Sequence, residues 1–188
     1  RIPAGRFRLR AATAFRFNPQ EAPATLADNL RLPTAGNPRA RALAREWQQQ
    51  ARAPAELVDL ALRHFNREAF HYTLRPPLLG RDSIDDFLFR SRRGFCEHYA
   101  SSFVFLMRAA GLPARVVSGY QGGEFNPLDG YLVVRQSEAH AWAEVWFAGR
   151  GWTRVDPTAA VAPERIEQGI ASALPAGEPL PAFLLERA

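Results

Sequence analysis

The sequence predicts an α+β fold, with a helical half followed by an antiparallel sheet. Apolar residues at helical spacing run from Asn37 to Ala110. Strand-like runs fill Ala114 to Asp156. Between them Gly111 supplies a helix stop and Pro113 prevents continuation.

The elements follow in order. Phe7 and Leu9 alternate with Arg6, Arg8 and Arg10, and Phe15, Arg16 and Phe17 continue the period of two. That reads as an extended strand or arm. Pro19, Pro23 and Pro33 interrupt what comes next. Asn37-Pro38 opens a helix to about Arg52, with Leu43 and Trp47 on one face. Pro54 suits a first helical turn, and the next helix runs to about Glu68 with Leu57, Leu60, Ala61, Leu62 and Phe65 as its stripe. Phe70 to Leu74 reads as a short strand ended by Pro76-Pro77. Asp82 or Ser83 caps a short helix through Phe89. Tyr99, Phe103, Leu106, Met107 and Ala110 then mark a buried helix whose first turn holds Cys96. Strands are expected at Ala114–Tyr120, Tyr131–Arg135, Ala139–Phe147 and Trp152–Asp156. A Gly-rich loop, Gln121 to Gly130, separates the first two, and a hairpin about Gly149-Arg150-Gly151 joins the last two. Past Pro157 the chain turns Pro/Ala-rich, with one weak helix near Glu164–Leu174. The organisation expected is an extended lead-in over 1–36, a core over 37–160 and a C-terminal extension over 161–188.

Composition narrows the classes. The 188 residues are 23% charged and 47% hydrophobic, a globular mix rather than a disordered one. All 24 basic residues are Arg and none is Lys; against 19 acids the net charge is +5. Those Arg are scattered, and Ala (32 residues) and Pro (15) are abundant beside them. Codon bias explains this better than a nucleic-acid interface, which needs a contiguous basic face. One Cys excludes an internal disulfide and any multi-Cys metal site. No stretch approaches the roughly 18 apolar residues of a membrane span, and no signal peptide is visible. The chain begins at Arg1, and we read it as a piece of a longer protein.

The chemistry centres on Cys96. At a helix N-terminus the dipole and free N–H groups favour thiolate over thiol. The same N–H groups stabilise an oxyanion on an acyl group carried by the sulfur. The competing reading is an inert buried Cys. Of the four His, His64 lies mid-helix on a surface or rim, and His71 borders a strand. His98 follows Cys96 by two positions, about 200° round a helix, and reads as a structural hydrogen-bonder. His140 begins an alternating strand in which His140, Trp142, Glu144 and Trp146 share one face. Asp156 closes the next strand and would orient His140 if the two share that face. Opposed residues in a hairpin sum to a constant, so register decides. A two-residue turn puts His140 and Asp156 on opposite faces; a three-residue turn puts them on the same one.

Four segments carry a resemblance. Arg93-Gly94-Phe95-Cys96-Glu97-His98-Tyr99-Ala100-Ser101, Gly111 to Tyr120, Ala139 to Trp146 and Gly151 to Thr158 resemble, in order and spacing, the bacterial transglutaminase-like core. The resemblance is firm over about residues 70 to 160. More loosely, Leu30-Arg31-Leu32-Pro33 with Asn37-Pro38-Arg39 resembles the lead-in of membrane-anchored Gram-negative members.

The resemblance implies a papain-like fold with a Cys96, His140, Asp156 triad and ping-pong acyl transfer through a thioester. It implies protein substrates, a Gln donor and a Lys or other amine acceptor, and a periplasmic domain of an inner-membrane protein. Trp142 is expected to wall the acyl site. Trp146 is expected to pack, and Glu144 to bind Arg154. The oxyanion hole would include the Cys96 N–H, with Tyr72 as a candidate second donor. Residues 121–130 read equally as a mobile lid or an ordinary connection. No cofactor is expected: nothing has the spacing of a calcium loop, and Cys96, His98 and His140 match no structural zinc site. The isolated domain is expected to be monomeric. A hydrolase on the same triad and a non-catalytic binding module are the alternatives.

Overall fold

Proline sets the helix starts. In the computed structural model, which describes residues 17–167 and 169–179, α1 (Pro23–Asp28), α2 (Pro38–Gln50) and α3 (Pro54–Arg67) each carry Pro in the first turn. Proline lacks an N–H that the first turn cannot use anyway. The expected alternating arm lies outside the described residues except for Phe17.

The entry to α2 is fixed from a distance. Asn37 adopts the left-handed conformation (φ 52°) that Asn tolerates. Its Oδ1 accepts the N–H groups of Ile84 and Asp85 at 3.0 and 3.2 Å. In return the Asp85 carboxylate accepts the N–H groups of Arg39 and Ala40 at 2.9 and 2.7 Å, capping α2. The Phe70–Leu74 strand is a two-residue ladder, β1 (His71–Tyr72). The expected helix to Phe89 is a single turn, α4 (Ser83–Asp85), which widens into a π-helical turn over Asp86–Ser91. β2 (Arg93–Gly94) then pairs in parallel with β1, Tyr72 opposite Gly94.

Helix α5 (Cys96–Ala109) is the axis of the core. Tyr99, Phe103, Leu106 and Met107 have no exposure, and Phe65, Trp47 and Phe87 pack round them from the earlier elements. Each such side chain contributes about 1.5–3 kcal/mol of burial.

The sheet covers the other side of α5. Its order is β3 (Ala114–Tyr120), β6 (Ala139–Phe147), β7 (Gly151–Val155), all antiparallel. Two short strands, β4 (Glu124–Asn126) and β5 (Tyr131–Val133), form a separate hairpin. The expected Gly-rich loop therefore contains a strand. Along β6, Ala141, Ala143 and Val145 are buried, while Trp142, Glu144 and Trp146 on the opposite face are half-buried. Phe147 pairs with Gly151, leaving a three-residue turn, Ala148-Gly149-Arg150. Paired numbers therefore sum to an even value, the case in which His140 and Asp156 share a face. Gly151 must be glycine: φ is +85°, and an added Cβ would lie 2.0 Å from the Phe17 carbonyl oxygen. That oxygen accepts the Trp152 N–H at 2.8 Å, which ties the lead-in to β7.

The weak helix expected near 164–174 is two short ones, α6 (Pro163–Glu167) and α7 (Ile170–Ala173), parted at Gly169. Ala162, Arg165 and Ile170 are buried there. Glu178 then returns to β1, accepting from Thr73 Oγ1 at 2.6 Å and from the Leu74 N–H at 2.7 Å.

Candidate active site

Cys96 is the first residue of α5 and is 8% exposed, packed with Ala100 and Ala141. It is held there by the extended Phe95 before it and by the β1–β2 ladder, in which the Thr73 N–H donates to Gly94 at 2.9 Å. His98 turns back on its own helix, its Nδ1 accepting the Phe95 N–H at 3.4 Å. It is a local capping group. His64 is half-buried among aromatic rings rather than on a surface, 5.6 Å from Trp47 and 5.8 Å from Phe70. Burial holds its pKa below the ordinary histidine value.

His140 and Asp156 meet. His140 Nε2 lies 2.7 Å from Asp156 Oδ2, although Asp156 falls one residue beyond the β7 ladder. The carboxylate also accepts from Arg154 Nη2 at 3.2 Å and from the Thr158 N–H at 3.2 Å. Burial favours its neutral form, but the His140 hydrogen bond and Arg154 outweigh this and hold its pKa below the usual aspartate value. An ionised carboxylate only accepts, so Nε2 carries the proton. Nδ1 then presents a lone pair. It is buried and has no hydrogen bond of ordinary geometry. Cys96 is close enough to act on the ring by hydrogen bonding and by charge. Burial opposes charging the imidazole, yet the Asp156 hydrogen bond, with Cys96, outweighs it and raises the pKa above 6.5.

Trp142 roofs this pair. Its ring stacks on His140 at 6.3 Å and 27°, and the Arg154 guanidinium lies 4.3 Å over it. Beneath it Gly119 leaves room: an added Cβ would approach Trp142 Cη2 to 2.8 Å. Trp146 packs outward, its Nε1 donating to the Asn18 carbonyl at 2.9 Å. Glu144 sits opposite Arg154 in the hairpin but pairs with Arg115 of β3, at 2.8 Å. The expected Glu144–Arg154 contact is absent because Arg154 is drawn to Asp156 and Trp142.

Tyr72 adjoins Cys96 as well, from its place opposite Gly94 in the β1–β2 ladder. It is 5% exposed, and its ring stacks on Tyr99 at 6.4 Å and 9°. Its hydroxyl is buried with no hydrogen bond of ordinary geometry. Burial, then the nearby Cys96, push its pKa up to about 12, with Arg165 opposing. At neutral pH it is a hydrogen-bond donor. A cleft of about 390 Å³, lined by His71, Tyr72, Thr73, Arg93 and Pro175, opens beside it.

Sequence reasoning missed three neighbours of this centre: Arg154, Gly119 and Arg165. The Arg154 pairing was legible in part from its position two residues before Asp156. Gly119 carries no signal until Trp142 is known to cross it, and Arg165 lies in a stretch that reads as peripheral. Among the described residues, no three His, Cys, Asp or Glu side chains cluster as metal ligands. Among them also, no helix is long and apolar enough to cross a membrane.

Comparison with known proteins finds relatives in both sequence and fold. Over 152 residues the chain is 59% identical to a protein-glutamine gamma-glutamyltransferase of Pseudomonas aeruginosa, covering 81% of the chain and 23% of that relative. The chain thus spans about a quarter of the length of this curated relative. The crystal structure of the periplasmic domain of TgpA from the same organism superposes with a TM-score of 0.80 at 57% identity, covering 83% of this chain and 54% of that one. A putative cysteine protease from Cytophaga hutchinsonii shares the fold alone, at 19% identity and a TM-score of 0.54 over 80% of this chain and 47% of that one. Residues 41–157 match the family model for the transglutaminase-like superfamily, and with a helix that starts at Cys96 packed on a sheet that carries His140, the chain belongs to that superfamily.

Proposed function

We propose that this domain transfers the acyl group of a protein glutamine side chain to an amine, with Cys96 as nucleophile, His140 as acid–base and Asp156 as orienter. The 2.7 Å contact between His140 Nε2 and Asp156 carries the reading, because it leaves Nδ1 as the base available to Cys96. The thiol proton passes to Nδ1 while sulfur attacks the carboxamide carbon. The carbonyl electron pair moves to oxygen, giving a tetrahedral oxyanion. The C–N bond then breaks, ammonia leaves with the proton from His140, and a thioester remains. A Lys or other primary amine attacks it; water in its place gives deamidation. The Cys96 N–H at the start of α5 and the Tyr72 hydroxyl are the donors for the oxyanion. Trp142 shields the thioester from water.

The relatives' names support protein substrates and a periplasmic setting for this chain too. We extend the reading to a membrane-anchored parent. Incubation with a glutamine peptide and a fluorescent primary amine tests the activity. Amine-labelled peptide with release of ammonia is expected. Conversion of glutamine to glutamate without label, at saturating amine, would make the domain a hydrolase on the same residues.

A further inference from the structure

Arg165 is the largest fully buried side chain among the described residues, yet much of it is unpaired. Its Nη2 donates to the Ala139 carbonyl at 2.8 Å, next to His140. Its Nε and Nη1 are buried without partners. Among the described residues it forms no salt bridge. A buried guanidinium without an anion is costly, and proteins normally pair it or expose it. The other orphaned polar atom at this place is the Tyr72 hydroxyl. Arg165 acts on that hydroxyl by charge and by a side-chain hydrogen bond outside ordinary geometry, and Cys96 acts on it by charge and through its backbone. Cys96 and Arg165 thus both adjoin the Tyr72 hydroxyl, with Tyr72 opposite Gly94 in the β1–β2 ladder and Arg165 on the carbonyl next to His140. The centre's resting carboxylate, Asp156, is taken up by His140, Arg154 and Thr158, which leaves the Tyr72 hydroxyl and two nitrogens of Arg165 without an anion among the described residues.

We propose that Arg165 is a positioning residue for the oxyanion: it polarises the Tyr72 hydroxyl, which donates to the acyl oxygen on Cys96. The anion that Arg165 lacks among the described residues is the one that forms during the reaction. When sulfur bonds to the carbonyl carbon and the π pair moves to oxygen, that charge faces the Tyr72 O–H backed by the guanidinium. It is lost again when the C–N bond breaks and ammonia leaves. Such an arrangement stabilises the transition state more than the ground state. It also makes α6, beyond the sheet in sequence, part of the site. The inference rests on the acyl-transfer reading above.

Five proteins test it: wild type, Tyr72→Phe, Arg165→Met, Arg165→Lys and the Tyr72→Phe, Arg165→Met double variant. Each is assayed for Cys96 acylation by a glutamine peptide, for Cys96 alkylation by iodoacetamide and for thermal unfolding. Alkylation forms no oxyanion, so a role in oxyanion stabilisation leaves it untouched. Arg165→Met is expected to slow acylation about 10²-fold, and alkylation by no more than about threefold. The double variant should be no slower in acylation than the slower single one. Arg165→Lys should recover part of the rate. The unfolding midpoint of Arg165→Met should stay near that of wild type, because a buried unpaired charge is removed. Equal slowing of acylation and alkylation, or additive losses in the double variant, would overturn the inference. Wild type that alkylates but never acylates would instead overturn the acyl-transfer reading beneath it.

Discussion

His140 and Asp156 meet at 2.7 Å, and Arg154 and Thr158 take up the remaining carboxylate capacity. Tyr72 and Arg165 are as deeply buried, and the Tyr72 hydroxyl and the Arg165 Nε and Nη1 have no partner of ordinary geometry. The first pair is set before any substrate arrives. The second is incomplete until negative charge develops. The contrast teaches that hydrogen-bond satisfaction divides the labour here. The ring that must hold one tautomer is tied at Nε2 and left open only at Nδ1, and the groups proposed to meet a transient charge keep donors open.

Mutations break this comparison to different depths. Cys96→Ala removes the atom both pairs serve; amine incorporation should fall below detection while thermal unfolding stays near wild type. Retained activity would remove Cys96 from the mechanism. His140→Ala takes away the proposed base and should lower kcat about 10³-fold. Asp156→Ala should cost about 10²-fold or more in kcat, since the imidazole loses the partner that fixes its tautomer. It should also lower stability by about 1–3 kcal/mol in urea unfolding, because a buried partner is orphaned. Arg165→Met should show the opposite profile, activity lost with stability kept. Gly119→Ala is gentler: the methyl displaces Trp142, and kcat should drop by about tenfold or less.

The paired side also makes a prediction about pH. The pKa of His140 is raised above 6.5, so its stabilisation is complete below that value and is lost as pH climbs through the folded-state pKa. The pKa of Asp156 is lowered below 3.8, so its stabilisation is present above that value and is lost as pH falls through the folded-state pKa. The pair should therefore contribute most between pH 3.8 and 6.5. Urea unfolding of wild type and Asp156→Ala across pH should show the largest difference in that window. A difference that does not vary with pH would break the coupling between the two groups.

Much of this arrangement was legible in the sequence. Gly94 before Cys96 and the apolar spacing from Tyr99 to Ala110 locate the thiol at a helix start. Alternation from His140 to Trp146 gives the face. Register alone was undecided, because a Gly-rich turn admits two lengths of opposite parity; the chain uses three residues, Ala148-Gly149-Arg150. What stayed hidden depends on contacts across distant segments. Glu144 has an Arg opposite it on both neighbouring strands, and only the structure chooses Arg115. Strand β4 lies in a stretch whose Gly content hides it, and its hairpin leaves Phe125 66% and Leu132 59% exposed, with no burial pattern to read. Arg165 looks like a solvated charge among Pro and Ala, and its burial appears only when α6 folds back beside β6.

The most direct test is the mass of the peptide containing Cys96 after incubation with a glutamine peptide and no added amine. An adduct of the peptide's mass less ammonia is expected on Cys96, absent from Cys96→Ala and converted to an amide when a primary amine is added. Product formation by folded protein whose Cys96 never carries that adduct, in single-turnover sampling, would contradict the thioester mechanism.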